Sequence, residues 1–465
     1  MQKLPTFGQA LLPLVSLAAL LAFGYMTNIK IEILLICAAC IAALLGYRLG
    51  YTYKEMENGI LESLLKGMPA ILIVIVVGGL IGSWIAAGSI PYMIYLGLKV
   101  ISPRFFLVTA CIVCSIISIV TGTSYGTAGT IGVAFIGIAY GLNIPAGQAA
   151  GAIVAGAYFG DKLSPFSDTT NLAPIAAGSN LFDHIRHMLW TTAPAWLLGL
   201  TVYFLMGIFS ADAQPTTMVM VSQISDTLQQ NFQFHWLLLL PPGITLAAAI
   251  LKKPIIPGML VSILVAVMLA LFFQGTTLTS ATAAIVDGFK PDTGNASVDK
   301  LLARGGLASM MRVTLITFCA FAFGGIMQKT RCLEVILGKL LTVARTATAL
   351  IASTVASCLA VAAMTGSSYL SILIPGELFA PAYRKKKLAA KNLSRTTEDS
   401  GTVFMPLIPW SAAGVFMAGA LDVPVLDYAP WAIMCYAGAP IALLYSFTGF
   451  AIAPKKNDDE TVPGS

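Results

Sequence analysis

The apolar sequence of this chain is broken twice by the same polar pattern, once in each half. The first break reads TGTSYG at 121–126 and GDKLSPFSDTTNLAP at 160–174. The second reads TGSSY at 365–369 and TEDSGTVFMP at 397–406. Hydrocarbon tolerates irregular backbone only where that backbone is buried in protein or lines a cavity. Two matching breaks in the two halves of a membrane protein predict a transport site at the interface between repeats.

Composition places the rest of the chain in a lipid bilayer. Its residues are 57% hydrophobic and 10% charged, whereas a soluble domain carries about 25% charge. The charge-free stretch 105–160 is 56 residues long, far beyond the ~20 residues that one helical span needs. We therefore predict an all-α polytopic membrane protein whose main partner is the bilayer.

Neither the basic residues nor the cysteines indicate a nucleic-acid or cofactor site. The net charge of +6 comes from Lys and Arg at the ends of apolar segments, which is typical of membrane proteins. Two C-x-x-C patterns, Cys37/Cys40 and Cys111/Cys114, lie inside apolar runs with no His nearby. We interpret them as small core residues. We expect no nucleic-acid partner, no cofactor and no metal beyond a transported ion.

Hydropathy and charge predict about ten full spans plus two re-entrant hairpins. The hairpins cover 104–142 and 346–383, each with a polar cluster at its tip and a short interfacial helix before it, near 90–102 and 329–344. The full spans are expected at 7–27, 30–47, 68–87, 146–174, 190–209, 235–251, 254–273, 306–326, 397–418 and 430–452.

The basic residues orient this layout. With the N-terminus inside, 19 Lys and Arg fall on the cytoplasmic side and 7 outside, while Lys162 stays in the membrane. This bias follows the positive-inside rule. We therefore expect both termini to be cytoplasmic. The count places Arg395 in a cytoplasmic loop, and His184, His187 and His235 at loop edges.

The two halves of the chain also align outside the breaks. ENGILESLLKGMPAILIVIVVGGLIG ends at Gly82, and LLARGGLASMMRVTLITFCAFAFGGIM ends at Met327. Five crossings per half turn the second half over, which predicts an inverted-topology repeat of five spans and one hairpin each. The expected division is a first repeat at 1–209, an extracytoplasmic linker at 210–234, a second repeat at 235–454 and a cytoplasmic tail at 455–465.

The carboxylates within the breaks are the best candidates for an ion site. A buried carboxylate is costly unless it is paired, protonated or on a cation, and hard cations prefer oxygen ligands. We expect Asp161 and Asp399, which are equivalent across the repeat, to alternate between proton and ion. We expect Lys162 to be a charge partner, acting on its neighbour Asp161. The predicted ion- or substrate-binding residues are Thr121, Thr123, Ser124, Asp161, Ser164, Asp168, Thr169, Thr170, Asn171, Thr365, Ser367, Ser368, Glu398, Asp399 and Thr402.

Other interpretations of the same residues stay open. Asp161 and Lys162 are also compatible with a charge pair that locks two helices together. Ser and Thr at helix ends are compatible with simple capping. GTSYG at 122–126 matches G-x-S-x-G, the nucleophile pattern of hydrolases. A base is then required, yet all three His lie at predicted loop edges, so we do not expect an enzyme.

GAYFGDKLSPFSDTTNLAP at 156–174 resembles the signature of the NhaC family of bacterial Na+/H+ antiporters. TGTSYGT, TGSSY and the segment 397–410 resemble its other motifs, and the similarity covers nearly the whole chain. The resemblance implies a bacterial cytoplasmic-membrane protein that exports Na+ in exchange for H+ by alternating access. It also implies kinship with the wider ion transporter superfamily, with elevator-like motion and a homodimer. Some relatives exchange malate and lactate, or basic amino acids, with Na+ or H+ coupling, and this remains the alternative.

Overall fold

The computed structural model describes residues 2–27, 29–210, 215–251 and 253–454, and these residues are almost entirely helical. The predicted tail 455–465, Lys252 and part of the predicted linker lie outside the described residues. Within the described ranges there is no strand, and the one isolated bridge joins Leu388 to Pro454.

The described part of the first half contains ten α-helices, including two that follow a break in a longer element. α3 begins with a capping box, in which Thr52 accepts a hydrogen bond from the Glu55 amide and Glu55 accepts from the Thr52 amide. The helices are α1 (Phe7–Thr27), α2 (Ile31–Arg48), α3 (Tyr53–Ala86), α4 (Ser89–Val100), α5 (Phe106–Thr121), α6 (Ser124–Thr127), α7 (Val133–Gly141), α8 (Ala146–Leu163), α9 (Asp168–Ala177) and α10 (Leu181–Ser210).

The second half repeats this order after additional helices. The segment that we predicted as a linker contains α11 (Pro215–Asn231), which sequence reasoning missed. The others are α12 (Leu240–Ile250), α13 (Ile255–Phe273), α14 (Leu278–Asp287), α15 (Ala296–Leu302), α16 (Met311–Lys329), α17 (Cys332–Val343), α18 (Ala347–Thr365), α19 (Ser368–Lys385), α20 (Ala390–Gly401), α21 (Ala412–Leu421), α22 (Val425–Tyr428) and α23 (Ile433–Thr448).

Eight of the described helices are long and apolar enough to cross a membrane, and three further pairs are bent at a short break. The prediction of an all-α polytopic membrane protein is confirmed. The short helices α4 and α17 lie where interfacial helices were expected. The first arms of the two hairpins, α5 and α18, are each long enough to cross a bilayer completely. The re-entrant character of the hairpins therefore stays a prediction.

Both predicted hairpins are present as helix pairs that turn at a glycine. In the first, Gly156 of α8 packs on Cys111 of α5, and Gly160 of α8 packs on Ser115 of α5. The two helices therefore run parallel. α7 is joined to α8 by a short connection and packs against it in the opposite direction. Since α5 is parallel to α8, α5 and α7 are antiparallel. Between α6 and α7 the return arm passes through a π-helical turn.

The second hairpin has the same geometry. The Thr354 hydroxyl, early in α18, lies 3.2 Å from the Tyr383 hydroxyl, late in α19. The two arms are therefore antiparallel and meet at Gly366.

Helix directions support the inverted repeat. Trp431 contacts both Gly151, early in α8, and Tyr203, late in α10. Phe159, late in α8, stacks on Trp196 in the middle of α10, with 4.5 Å between ring centroids. α10 therefore runs antiparallel to α8.

The same helix α10 runs parallel to α20. His184 bonds to Ser394, and Thr191, two turns later, bonds to Asp399. Since α10 is antiparallel to α8 and parallel to α20, the equivalent helices α8 and α20 run in opposite directions, as the inversion requires.

Candidate functional site

The two inverted helices α8 and α20 both end inside the protein, where the helical backbone is interrupted. Asp161 lies two residues before the end of α8, and Asp399 lies two residues before the end of α20. Both are buried, with 9% and 1% of their surface exposed. The carboxylates that were predicted to be equivalent are thus placed at equivalent positions of the two breaks.

Helix α20 is polar in sequence and yet buried along all but its first two residues. Its ten residues from Asn392 to Gly401 are all buried, and eight of them are polar or charged. The predicted span began only at 397, whereas the helix begins at Ala390. A polar helix that is buried in this way must be held by other protein groups, and here these groups come from α9, α10, α18, α19 and α23.

An ion pair across the repeat interface joins the two broken helices. The Lys162 Nζ donates to Asp399 Oδ1, and both side chains are 1% exposed or less. The Thr191 hydroxyl donates to the same oxygen at 3.1 Å. We expected Lys162 to act on Asp161, but its partner in the structure is Asp399. Adjacent residues of a helix point to different faces, so Lys162 reaches the other repeat instead.

Asp161 faces the first hairpin tip. The side chains of Ser124 and Ser167 lie next to its carboxylate, so the tip and the break supply hydroxyl oxygens around one carboxylate. Of the predicted ligands, Ser124 is therefore well placed. Ser167 is an additional hydroxyl beside Asp161.

Glu398 is a buried carboxylate without hydrogen-bond donors in the described part of the chain. It is 0% exposed, and among the described residues neither of its oxygens has a hydrogen-bond partner. Thr169 of α9 and Thr402 are its nearest hydroxyl neighbours. The second oxygen of Asp399 also lacks a partner in this part of the chain. Buried carboxylate oxygens without donors are stable only if they are protonated or occupied by a cation.

Each hairpin tip lies against one of the breaks. Gly122 packs on Phe166 in the first break, and Gly366 packs on Ser411 in the second. The Gly366 carbonyl also accepts a hydrogen bond from the Ala412 amide at 3.1 Å. Both tip glycines have a positive φ, of 69° and 63°, which L-residues adopt only with strain.

Several of the predicted ligands donate their side-chain hydrogens to nearby backbone. The Ser164 hydroxyl donates to Ile119 at 2.7 Å, and the Thr170 hydroxyl donates to Lys162 at 3.0 Å. The Asn171 amide donates to Pro165 and Ser167. These bonds fix the shape of the first break, and a role of these side chains in ion binding stays a prediction.

The tip hydroxyls are divided between caps and uncommitted groups. Thr123 caps α6, and Ser367 caps α19. Thr365 donates to Val361 within α18 at 2.7 Å. Ser368 is half-buried. The Thr121 hydroxyl is buried with no partner among the described residues, and it remains a candidate ligand.

Asp168 differs from Asp161, Glu398 and Asp399 in its exposure. It is exposed at the first turn of α9, where it accepts a hydrogen bond from the Tyr369 hydroxyl at 3.2 Å. This contact ties the second hairpin to the first break. Asp168 is therefore placed at the rim of the site.

Sequence reasoning misplaced one basic residue of α20 and two His residues that pack on it. Arg395, which was assigned to a loop, is 0% exposed. Its Nη1 donates to Ala451 at 2.9 Å. His184 and His187 were expected at loop edges, but both are buried and bond to Ser394 and Asn392. The polarity of α20 is a signal that could have located them, because buried polar residues require partners.

Among the described residues no cluster of three or more His, Cys, Asp or Glu is arranged to hold a metal ion. The polar groups at the centre instead alternate in charge, with three carboxylates, Lys162 and Arg395 in one region.

Comparison with known proteins assigns the chain to a family. The Na+/H+ antiporter family matches residues 156–450, which include the segments 160–174 and 397–406, the second hairpin, and the carboxylates Asp161, Glu398 and Asp399. This chain belongs to the Na+/H+ antiporter family.

Relatives in this family match over almost their whole length. An uncharacterized Na+/H+ antiporter of Haemophilus influenzae is 45% identical, with 98% of each chain covered. The Na+/H+ antiporter NhaC of Alkalihalophilus pseudofirmus is 37% identical over 98% of this chain and 99% of its own. A malate-2H+/Na+-lactate antiporter of Bacillus subtilis is 36% identical over 98% and 97%. The family is thus clear, while its members differ in what they carry.

Proposed function

We propose that this protein exchanges Na+ for H+ across a bacterial cytoplasmic membrane by alternating access. The observation that carries the proposal is the buried cluster of Asp161, Glu398 and Asp399 at the meeting point of two inverted broken helices, in a chain of the Na+/H+ antiporter family. With all groups ionised, Lys162 and Arg395 leave this cluster with a net charge of about −1. One Na+ or one H+ supplies the missing positive charge.

In this mechanism Asp161 and Asp399 alternate between proton and ion. The Lys162 ammonium neutralises Asp399 while the site is empty. An entering Na+ competes with Lys162 for that carboxylate and draws on the oxygens of Asp161, Ser124 and Ser167. When Na+ leaves, protonation of Asp161 or Asp399 removes the uncompensated charge. Ions and protons therefore compete for the same carboxylates, which is the requirement for exchange.

A proteoliposome assay tests this function. An imposed Na+ gradient is expected to collapse a preset pH gradient in vesicles that contain the protein, and not in empty vesicles. Asp161→Asn and Asp399→Asn are each expected to reduce this flux to background, because amides cannot carry the proton or the charge. Asp427→Asn is the matched control, since Asp427 is exposed on α22. Robust exchange by both site variants would remove the proposed roles.

A second function is favoured by one specific observation. Arg395 is fully buried, and its Nε and Nη2 have no partner among the described residues. Together with Lys162 it provides two buried cations that suit an organic carboxylate, and one relative is a malate-2H+/Na+-lactate antiporter. Under this alternative, flux requires added malate or lactate. Flux in Na+ and buffer alone contradicts it.

We further propose that both termini are cytoplasmic, that the division of the chain into two repeats follows the boundaries predicted above, and that the protein forms a homodimer. The positive-inside distribution of Lys and Arg supports the orientation. Family resemblance supports the dimer. No cofactor is proposed beyond the transported ions.

A further inference from the structure

A cleft lies outside the transport site, between α10 and the segment that follows α23. It has a volume of about 280 Å³ and is lined by His187, Trp190, Lys391, Phe450 and residues 451–453. Lys391 lies two helical turns before Glu398 on α20. The cleft is therefore separate from the carboxylates, although it shares a helix with them.

Positive charge is concentrated beside this cleft. Four consecutive basic residues, 384–387, are exposed at the end of α19, and Lys391 follows at the start of α20. In the described part of the chain none of these five forms an ion pair. Unpaired basic residues beside a membrane surface attract anionic headgroups.

Aromatic side chains form the other wall. Trp190 and Phe450 are each 51% exposed, and their rings meet edge to face at 5.4 Å between centroids. Exposed aromatic rings are typical of the membrane–water interface. Leu189 and Leu197 of α10 are also exposed nearby. The surface thus has an apolar part for acyl chains and a basic part for a charged headgroup.

We propose that this cleft binds the headgroup of an anionic phospholipid. Its phosphate lies on Lys391, and its acyl chains follow the exposed apolar face of α10. Residues 384–387 raise the local concentration of anionic lipid. The charge complementarity and the interfacial aromatic pair select a lipid over a soluble anion.

Such a lipid acts on α20 through the residues that line the cleft. Asn392 of α20 exchanges two hydrogen bonds with Ala453, at 2.7 and 3.0 Å, and it also bonds to His187 at 3.0 Å. Arg395 donates to Ala451, one turn closer to Asp399. A headgroup in the cleft therefore stabilises residues 451–453, which bond to Asn392 and Arg395 of α20.

Lipid retention by the full-length protein tests the site independently of transport. Purified protein is mixed with phosphatidylglycerol or phosphatidylethanolamine in detergent, and bound lipid is counted by native mass spectrometry. The wild type is expected to prefer phosphatidylglycerol. Lys391→Gln is expected to bind it about fivefold more weakly, whereas Lys391→Arg retains it. Lys339→Gln, an exposed lysine on α17, is the matched control and binds as the wild type does.

Three results would overturn the proposal. They are equal binding of the two lipids by the wild type, unchanged binding by Lys391→Gln, and displacement of phosphatidylglycerol by soluble glycerol phosphate. If Lys391→Gln does not fold, the wild type alone decides, because its preference must vanish at about 1 M salt, where charges are screened over about 3 Å. Loss of the lipid preference with intact Na+-driven flux refutes only this site and leaves the proposed function standing.

Discussion

At the scale of single residues, the ion pair between Lys162 and Asp399 is the contact that links the two repeats. Lys162→Gln leaves the Asp399 carboxylate buried without its cation, and removal of one partner of a buried pair costs about 3–5 kcal/mol. The double variant Lys162→Gln/Asp399→Asn removes both charges, so it is expected to unfold at a higher temperature than the single variant. Thermal unfolding of the purified proteins in detergent measures the difference.

An exposed ion pair provides the control for this comparison. Arg331 and Glu334 bond at 2.7 Å, but their side chains are 49% and 61% exposed. Arg331→Gln is therefore expected to cost much less stability than Lys162→Gln, because solvent screens an exposed pair. If the single and double variants of the buried pair lose the same stability, the two side chains do not interact as strongly as their burial implies.

Asp399 was predictable as a site residue, but its partner was not. A charged side chain in an apolar span marks a functional position from sequence alone. The pairing of Lys162 with Asp399 depends on how the second repeat folds over the first, and nothing local encodes it. Asp161 was predicted as the partner of Lys162 because it is adjacent in sequence. Adjacent residues of a helix do not face each other, so their side chains do not pair.

At the scale of elements, the hairpin tips differ in how much space they leave. A Cβ at Gly122 would lie 2.7 Å from Phe166 Cβ, whereas at Gly366 the nearest atom is 3.4 Å away. Gly366→Ala is expected to cost only the strain of a positive φ, about 1–2 kcal/mol. Gly122→Ala adds a clash with the first break, so it is expected to lose more stability and more Na+-driven flux.

Gly178 isolates the backbone component of this prediction. Its φ is 74°, and no neighbouring atom lies within 4 Å of the position that a Cβ would occupy there. Gly178→Ala and Gly366→Ala are therefore expected to shift the unfolding temperature by similar amounts. A larger loss for Gly366→Ala than for Gly122→Ala contradicts the role assigned to the contact with Phe166.

The hairpins were predictable because two apolar arms around a Gly/Ser/Thr cluster have a clear pattern. The start of α20 and the helix α11 were not. Hydropathy measures the polarity of residues and not their burial, so the mostly polar residues 392–396 were assigned to a loop although they are buried in protein. For the same reason, α11 was hidden in a segment with few long apolar runs.

At the scale of the whole molecule, the two halves are equivalent in sequence but not in their contacts. Tyr125 and Tyr369 each follow a tip glycine by three residues, and Leu172 and Phe416 each follow a capping serine by five. Tyr125 stacks on Phe416 at 4.4 Å between centroids. Its counterpart Tyr369 differs, because it is 51% exposed and bonds to Asp168. The inverted repeat was predictable from charge, but this asymmetry is a property of one conformation and has no sequence signal.

An inverted repeat exchanges the conformations of its halves when the site changes sides. In the opposite state, Tyr369 is expected to pack on Leu172 while Tyr125 leaves Phe416. Two double-cysteine variants in an otherwise cysteine-free protein measure this, one with Tyr125→Cys/Phe416→Cys and one with Tyr369→Cys/Leu172→Cys. Saturating Na+ on one side of the vesicle is expected to shift their cross-linking yields in opposite directions. Parallel changes, or yields that ignore Na+, contradict an exchange between the halves, because a population that leaves one state must enter the other.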